Sequence, residues 1–146
     1  MVHKVFEQVL RFRRMPTRSG PIWLPIVDVD LIYGQGNRIV VQMIFDTGAR
    51  TTILDASYAP FLGVTTWTEG EPVDVDTAGG PESVQAYEFM ACLEVFGRTF
   101  ADCPVWLMQL PRNDFWRGLL GRQAIFEHFG FGLWESTREL LVTANP

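Results

Sequence analysis

Cysteine and histidine are scarce in this chain. Its 146 residues include two cysteines and two histidines, and their spacing matches no zinc-binding pattern. Two acidic pairs, Asp28-x-Asp30 and Asp74-x-Asp76, are an alternative set of metal ligands. Acids that alternate along a strand more commonly form its solvated face. We therefore expect no metal site.

Long apolar runs are also missing. No stretch approaches the roughly 20 apolar residues that span a bilayer. The apolar piece at residues 5–10 is short and is interrupted by Glu7 and Gln8, unlike a secretory signal. We expect a cytoplasmic protein without membrane contact. A Gly-x-Ser-x-Gly elbow, a P-loop and a dinucleotide fingerprint are absent as well.

Positive charge is concentrated at the N-terminus. The formal net charge is −5, yet residues 1–20 carry five basic side chains and one acidic side chain. The acidic remainder argues against a nucleic-acid-binding surface. We interpret residues 1–20 as a basic N-terminal extension and residues 21–146 as one domain. The extension is either an arm that touches a partner or, as is common for termini, a solvated and partly frayed chain end.

Alternation of apolar and polar residues predicts β-strands along most of the chain. Residues 27–33 place apolar side chains on one face and acidic ones on the other. Residues 34–37 read Gly-Gln-Gly-Asn, which predicts a hairpin turn because glycine adopts positive φ readily. A return strand over residues 38–45 follows. Asp46 therefore lies where a strand ends and a loop begins.

Two further strands are predicted at residues 87–95 and 97–108. Pairing their apolar faces places Leu93 near Cys103 and leaves Cys92 on the opposite side of the sheet. A disulfide between the two cysteines is therefore not expected.

Residues 122–129 contain good helix formers, and Gly130 stands at a C-terminal stop position. Residues 55–63 are expected to be irregular or one helical turn. A last hairpin turns at residues 135–138. The sum is an all-β domain with one short C-terminal helix.

Two sequence blocks resemble a known family. The first, "IFDTGA" at residues 44–49, is similar to the Asp-Thr-Gly-Ala signature of retroviral-type, retropepsin-like aspartic proteases. The second, "GLLGRQAIF" at residues 118–126, resembles the family's apolar-apolar-Gly-Arg element, which braces the catalytic loop. Between them, "TAGGP" at residues 77–81 stands where the family has a mobile hairpin, the flap. An ordinary surface hairpin is the alternative for that segment. The resemblance spans residues 25–129.

The resemblance implies a fold, an activity and a set of site residues. The fold would be the retropepsin-like closed barrel, equivalent to half of a bilobal pepsin-type enzyme. The activity would be that of an aspartic endopeptidase acting on peptide or protein substrates without metal or cofactor. The catalytic loop would be Asp46, Thr47 and Gly48. Substrate would contact Ala49, Thr77, Ala78, Gly79 and Gly80. The supporting residues would be Leu119, Leu120, Gly121 and Arg122.

A single Asp-Thr-Gly predicts a homodimer. The chemistry needs two carboxylates that share one proton around a water molecule. Asp76-Thr77 is not a second copy, because no glycine follows it. Asp46 of two subunits would meet on a two-fold axis. The alternative is a catalytically silent, dimeric peptide-binding or assembly module of the same fold. A weaker third possibility is the processing of a viral or mobile-element polyprotein.

The sequence departs from the family pattern at Arg50. Retroviral members often carry an acid there that pairs with the arginine of the second block, so Arg122 would need another partner, such as Asp55 or Asp114. The chain also continues into a longer final hairpin. Trp134 and residues 140–142 are expected either to form part of a dimer contact or to complete the core.

Overall fold

The computed structural model describes residues 6–76 and 84–146. They contain the strands β1 (Gln8–Arg11), β2 (Arg13–Met15), β3 (Ile22–Leu24), β4 (Ile26–Tyr33), β5 (Asn37–Phe45), β6 (Thr52–Asp55), β7 (Glu71–Val75), β8 (Val84–Val95), β9 (Arg98–Met108), β10 (Gly118–Leu120), β11 (Phe129–Trp134) and β12 (Glu139–Ala144). Short 3₁₀ segments cover Ala56–Leu62, Trp67–Glu69 and Phe126–His128. None of the helical segments in this part of the chain has the length and apolarity to span a membrane.

Six strands close into a barrel. Their order is β4-β5-β10-β6-β9-β8, and β4 also pairs with β8. Strand β7 pairs with β8 outside the closed ring. Closure removes the open edges that a flat sheet would expose. The all-β, closed-barrel prediction is confirmed.

Alternating side chains of β4 and β5 fill the barrel. Val29, Leu31, Val41 and Met43 have no exposed surface, as the alternation over residues 27–33 predicts. A three-residue loop joins the two strands, and Gly34 and Gly36 there adopt positive φ. The predicted hairpin is therefore confirmed.

Leu93 and Cys103 both lie in the buried core, as their placement on the apolar faces predicts, but they are not directly paired. Cys103 lies opposite Ala91, whereas Leu93 lies opposite Phe100. A bulge shifts the pairing here, because one residue separates Ala91 from Leu93 on β8 and two separate Phe100 from Cys103 on β9. The alternation pattern does not reveal this shift. Both cysteines are free, as expected, and burial raises the pKa of the Cys103 thiol to about 11.

The chain ends form a second sheet in the order β1-β12-β11. Residues 8–11 and 13–15 of the N-terminal extension belong to strands, so the interpretation as a frayed end is wrong for them. Leu140 and Val142 on β12 are buried and complete the core. Trp134 remains 46% exposed.

The predicted helix at residues 122–129 is shorter than expected. Ala124 adopts φ +66°, a left-handed conformation that interrupts an α-helix. Only the 3₁₀ turn Phe126–His128 remains, and Gly130 belongs to β11. The first 3₁₀ segment, Ala56–Leu62, matches the helical turn expected at residues 55–63.

Candidate active site

Asp46 stands at the end of β5, next to the core. The side chain before it, Phe45, is 3% exposed and stacks on Phe126 with ring centroids 4.9 Å apart. The Asp46 backbone N–H donates to the Leu120 carbonyl over 3.1 Å. Asp46 itself is half-buried. Its backbone is therefore fixed by β5 and β10, while its carboxylate remains accessible.

The loop after β5 folds back onto this carboxylate. Gly48 N–H donates to Asp46 Oδ1 over 2.9 Å, and Ala49 N–H donates to the Asp46 carbonyl over 3.3 Å. A backbone N–H that donates to a carboxylate stabilises the charged form and restricts its rotation. Thr47 lies at the exposed tip of the loop.

Strand β10 and the residues after it support the loop. Leu119 and Leu120 pair in parallel with Ile44 and Phe45 of β5, and β10 also pairs with β6. Arg122 N–H donates to the Ala49 carbonyl over 3.0 Å. The second sequence block is therefore hydrogen-bonded directly to the first.

Gly121 packs tightly against the backbone of Thr51 and Thr52. Its N–H donates to Thr52 Oγ1 over 3.1 Å. A Cβ placed on Gly121 would lie 2.4 Å from the carbonyl carbon of Thr51, closer than a Cβ comes to a non-bonded heavy atom in folded proteins. Only glycine fits at this position.

A groove of about 470 Å³ opens beside Asp46. Gly48, Ala49 and Leu119 line it together with Asp46. Sequence reasoning did not identify its other lining residues, which are Arg50, Thr51, Ile53, Val75, Asp76 and Trp106. Several of them come from β6, β7 and β9, and long-range pairing brings these strands to the groove.

Strands β7 and β8 form the arms of the hairpin that was predicted to be a flap. Val75 pairs with Val84 at the last described position, and Val75 and Asp76 line the groove. The predicted substrate-contacting residues Thr77, Ala78, Gly79 and Gly80 lie outside the described residues.

Asp55 pairs with Arg117 over 2.8 Å, not with Arg122. Across residues 6–76 and 84–146, no carboxylate lies within 4.0 Å of the Arg122 guanidinium, so the expected partners are wrong. Burial would raise the pKa of the Asp55 carboxyl. Hydrogen bonds from Ser57, from Leu110 N–H and from Arg117 outweigh burial and hold that pKa below its ordinary value.

The first acidic pair of the sequence also has protein partners. Asp28 pairs with Arg13 over 2.9 Å, and Asp30 pairs with Arg38 over 3.1 Å. These arginines partly compensate the charge of both carboxylates.

Comparisons with known proteins bear on the family and the fold of the chain. A family model described as aspartyl protease matches residues 29–124. A search of curated proteins finds no match. Among solved structures, a retropepsin-like aspartic protease from Rickettsia conorii is 21% identical, with a TM-score of 0.58 over 94% of this chain and 93% of that chain. EIAV protease complexed with the inhibitor HBY-793 is 19% identical, with a TM-score of 0.49 over 71% of this chain and 86% of that chain. The chain belongs to the aspartyl protease family and has the retropepsin-like fold.

Proposed function

We propose that this protein is an aspartic endopeptidase in which Asp46 of two identical subunits activates a water molecule. The observation that carries the proposal is the half-buried Asp46 beside an open groove. Its Oδ1 accepts from Gly48 N–H over 2.9 Å. Family membership supports peptidase chemistry, and a fixed carboxylate in a groove is the group that this chemistry requires.

The proposed mechanism uses two carboxylates as one unit. Carboxylates that lie close together cannot both ionise, so the pair holds one shared proton. The ionised carboxylate takes a proton from water as the water oxygen attacks the scissile carbonyl carbon, and the protonated one donates its proton to the carbonyl oxygen. Collapse of the tetrahedral intermediate breaks the C–N bond and transfers a proton to the leaving amine. The pair titrates as a unit, not as two separate residues.

A homodimer supplies the second carboxylate. A two-fold axis next to the groove would bring Asp46 of the partner subunit beside Asp46 of the first. Thr47 is exposed at the loop tip, which leaves its hydroxyl free to bond to the opposite loop. Gly48 permits the tight turn, and Leu119 to Arg122 support it from β10.

The substrate would bind as an extended strand along the groove. Its side chains would contact the apolar wall of Ile53, Leu119 and Trp106, and its backbone would pass Ala49. The β7–β8 hairpin would cover it from the other side, with residues 77–80 as the flap tip. Closure of such a hairpin excludes water from the reaction.

Replacing the catalytic carboxylate tests the proposal. Asp46→Asn keeps the size of the side chain but removes the general base. We expect kcat/KM on a blocked peptide library to fall by about 10²- to 10⁴-fold, the usual contribution of such a group. Circular dichroism and thermal unfolding should show an intact fold. Asp28→Asn is the matched control, because Asp28 is an exposed acid paired with Arg13, and it should retain activity.

Two results would contradict the proposal. Cleavage by Asp46→Asn at the wild-type rate would remove Asp46 from the reaction. A wild-type protein that binds peptides but cleaves none between acidic and neutral pH would instead indicate the non-catalytic peptide-binding module.

A further inference from the structure

Arg50 brings a positive charge into the groove beside Asp46. It is exposed and lines the same cavity as Asp46 and Trp106. Its backbone carbonyl accepts from Gln123 N–H over 2.8 Å, so the backbone at Arg50 is fixed by the segment that follows β10. The guanidinium is always protonated and presents five donors. A charged donor group therefore stands where the substrate is expected.

The Arg50 guanidinium has no acidic partner in the described parts of the chain, where no carboxylate lies within 4.0 Å of it. Arg13 and Arg117, by contrast, each make an ion pair of 2.9 Å or less. Asp46 and Asp76 line the same cavity but stay beyond that distance. Arg50 thus keeps its hydrogen-bonding capacity for a group that enters the groove.

We propose that Arg50 is a specificity-determining residue that binds an acidic side chain of the peptide substrate. The inference rests on the proposed function, because it requires a peptide in the groove. Arginine and carboxylate form paired, charge-assisted hydrogen bonds. Asp46 and Asp76 place negative charge elsewhere in the groove, so an acidic side chain is favoured only next to Arg50.

The sequence spacing between Arg50 and Asp46 limits the distance between the preferred acidic residue and the scissile bond. Arg50 follows Asp46 by four residues, which span at most about 14 Å. An extended peptide advances about 3.3 Å per residue. The preferred acid is therefore within about four residues of the scissile bond. Two-fold symmetry would place a second Arg50 on the other side of that bond, so the preference should occur at one position on each side.

A positional peptide scan tests the inference. Each peptide is acetylated and amidated and differs from its neighbours only in having Glu, Gln or Lys at one position. We expect wild-type kcat/KM to be about fivefold higher for Glu than for Gln at the preferred positions, as for a partly exposed charge pair. Arg50→Gln should abolish that ratio. Arg50→Glu should reverse it in favour of Lys.

The control variant is Arg14→Gln. Arg14 is exposed on β2, outside the groove, and this variant should retain the Glu preference. Peptides with a free C-terminus form a further arm. If a peptide without an acidic side chain is preferred because its C-terminus is free, Arg50 binds the terminal carboxylate. That result would overturn the proposal.

A measurement of peptide binding tests this inference independently of the proposed catalytic function. Fluorescence anisotropy of the same peptides with Asp46→Asn measures the charge preference without cleavage. A Glu preference in binding that Arg50→Gln removes supports the inference, even if no peptide is cleaved and the proposed function fails. Cleavage with equal rates for Glu and Gln, or a ratio that Arg50→Gln leaves unchanged, would overturn the inference alone. Sedimentation tests whether Arg50→Gln dissociates a dimer. If the Glu-to-Gln ratio is lost only because the dimer dissociates, the inference is also overturned.

Discussion

Gly121 illustrates how one residue without a side chain holds the candidate active site together. A Cβ at this position would lie 2.4 Å from the Thr51 carbonyl carbon and 2.7 Å from the Thr52 nitrogen. Those neighbours are backbone atoms, which cannot rotate away as a flexible side chain can. The Gly121 N–H also donates to Thr52 Oγ1. The close approach lets the segment after β10 reach the loop that begins at Asp46.

Gly121→Ala should therefore separate these two segments. Forcing a methyl group into a packed site costs about 1–3 kcal/mol, and we expect the upper part of that range because backbone must move. Urea unfolding measures the loss of stability, and kcat/KM per folded molecule should fall as well. Gly36→Ala is the matched control. Gly36 adopts φ +86°, and a methyl group there would have no neighbouring atom within 4 Å, so this variant should lose about 1–2 kcal/mol but keep its activity. Equal losses of activity in both variants would contradict this account.

Some residues of the candidate site can be identified from the sequence alone, whereas others become apparent only in the folded structure. Asp46, Gly48 and Gly121 lie in short sequence blocks whose chemistry is local, so the sequence alone indicates them. Trp106 and Val75 line the groove because β6 pairs with β9 and β7 pairs with β8. No local sequence pattern predicts which of these strands pair. An apolar residue on a strand is also more often part of the core than part of a groove wall.

At the scale of elements, Asp55 joins three segments around β10. It ends β6, and its carboxylate accepts from Leu110 N–H over 3.0 Å and from Ser57 N–H over 3.1 Å. Arg117, the residue before β10, completes the set with an ion pair of 2.8 Å. Asp55 is 6% exposed, so solvent does little to screen this pair. The contacts anchor β10, the strand that pairs with β5 next to Asp46.

Asp55→Asn should weaken this anchor in a pH-dependent way. Breaking a buried pair leaves Arg117 uncompensated and costs about 3 kcal/mol. The folded pKa of Asp55 is lowered, so its contribution is complete above the unfolded value of about 3.9 and is lost as pH falls through the folded value. Urea unfolding of both proteins between neutral and strongly acidic pH should show the difference shrinking at the acidic end. Asp28→Asn, whose exposed pair is worth about 0–1 kcal/mol, is the control. A difference that stays constant down to the lowest pH would contradict the role of the charge.

The boundaries and pairing of strands and helices also depend partly on local sequence and partly on long-range packing. The β4–β5 hairpin is predicted correctly because Gly34 and Gly36 encode its turn. The bulge between Ala91 and Leu93 and the left-handed Ala124 are not encoded by glycine or by alternation. Both are conformations that the surrounding packing imposes. The sequence therefore does not indicate the register shift, and it predicts a helix that is too long.

At the scale of the whole molecule, the chain combines a closed barrel with a sheet built from both termini. Apolar side chains are exposed on that terminal sheet: Val9 is 55%, Leu133 45% and Trp134 46% exposed. Exposed apolar surface at chain ends is suited to association. The sequence indicates the barrel through its family resemblance. It does not reveal that β1 pairs with β12, since their residues are more than a hundred positions apart.

The proposed homodimer gives a quantitative prediction for mixed subunits. If each site needs Asp46 from two chains, wild type refolded together with an equal amount of Asp46→Asn will form mixed dimers that lack one carboxylate. Random pairing then leaves about half of the wild-type chains in intact sites, so activity per wild-type chain should fall to about half. The same proteins mixed and assayed before subunits exchange are the control and should show no loss. Titrating the ratio further distinguishes the models, because intact sites fall as the square of the wild-type fraction in a dimer and linearly in a monomer. Activity per wild-type chain that stays constant after co-refolding would rule out a shared site, and Asp46 would then need an acidic partner from within its own chain.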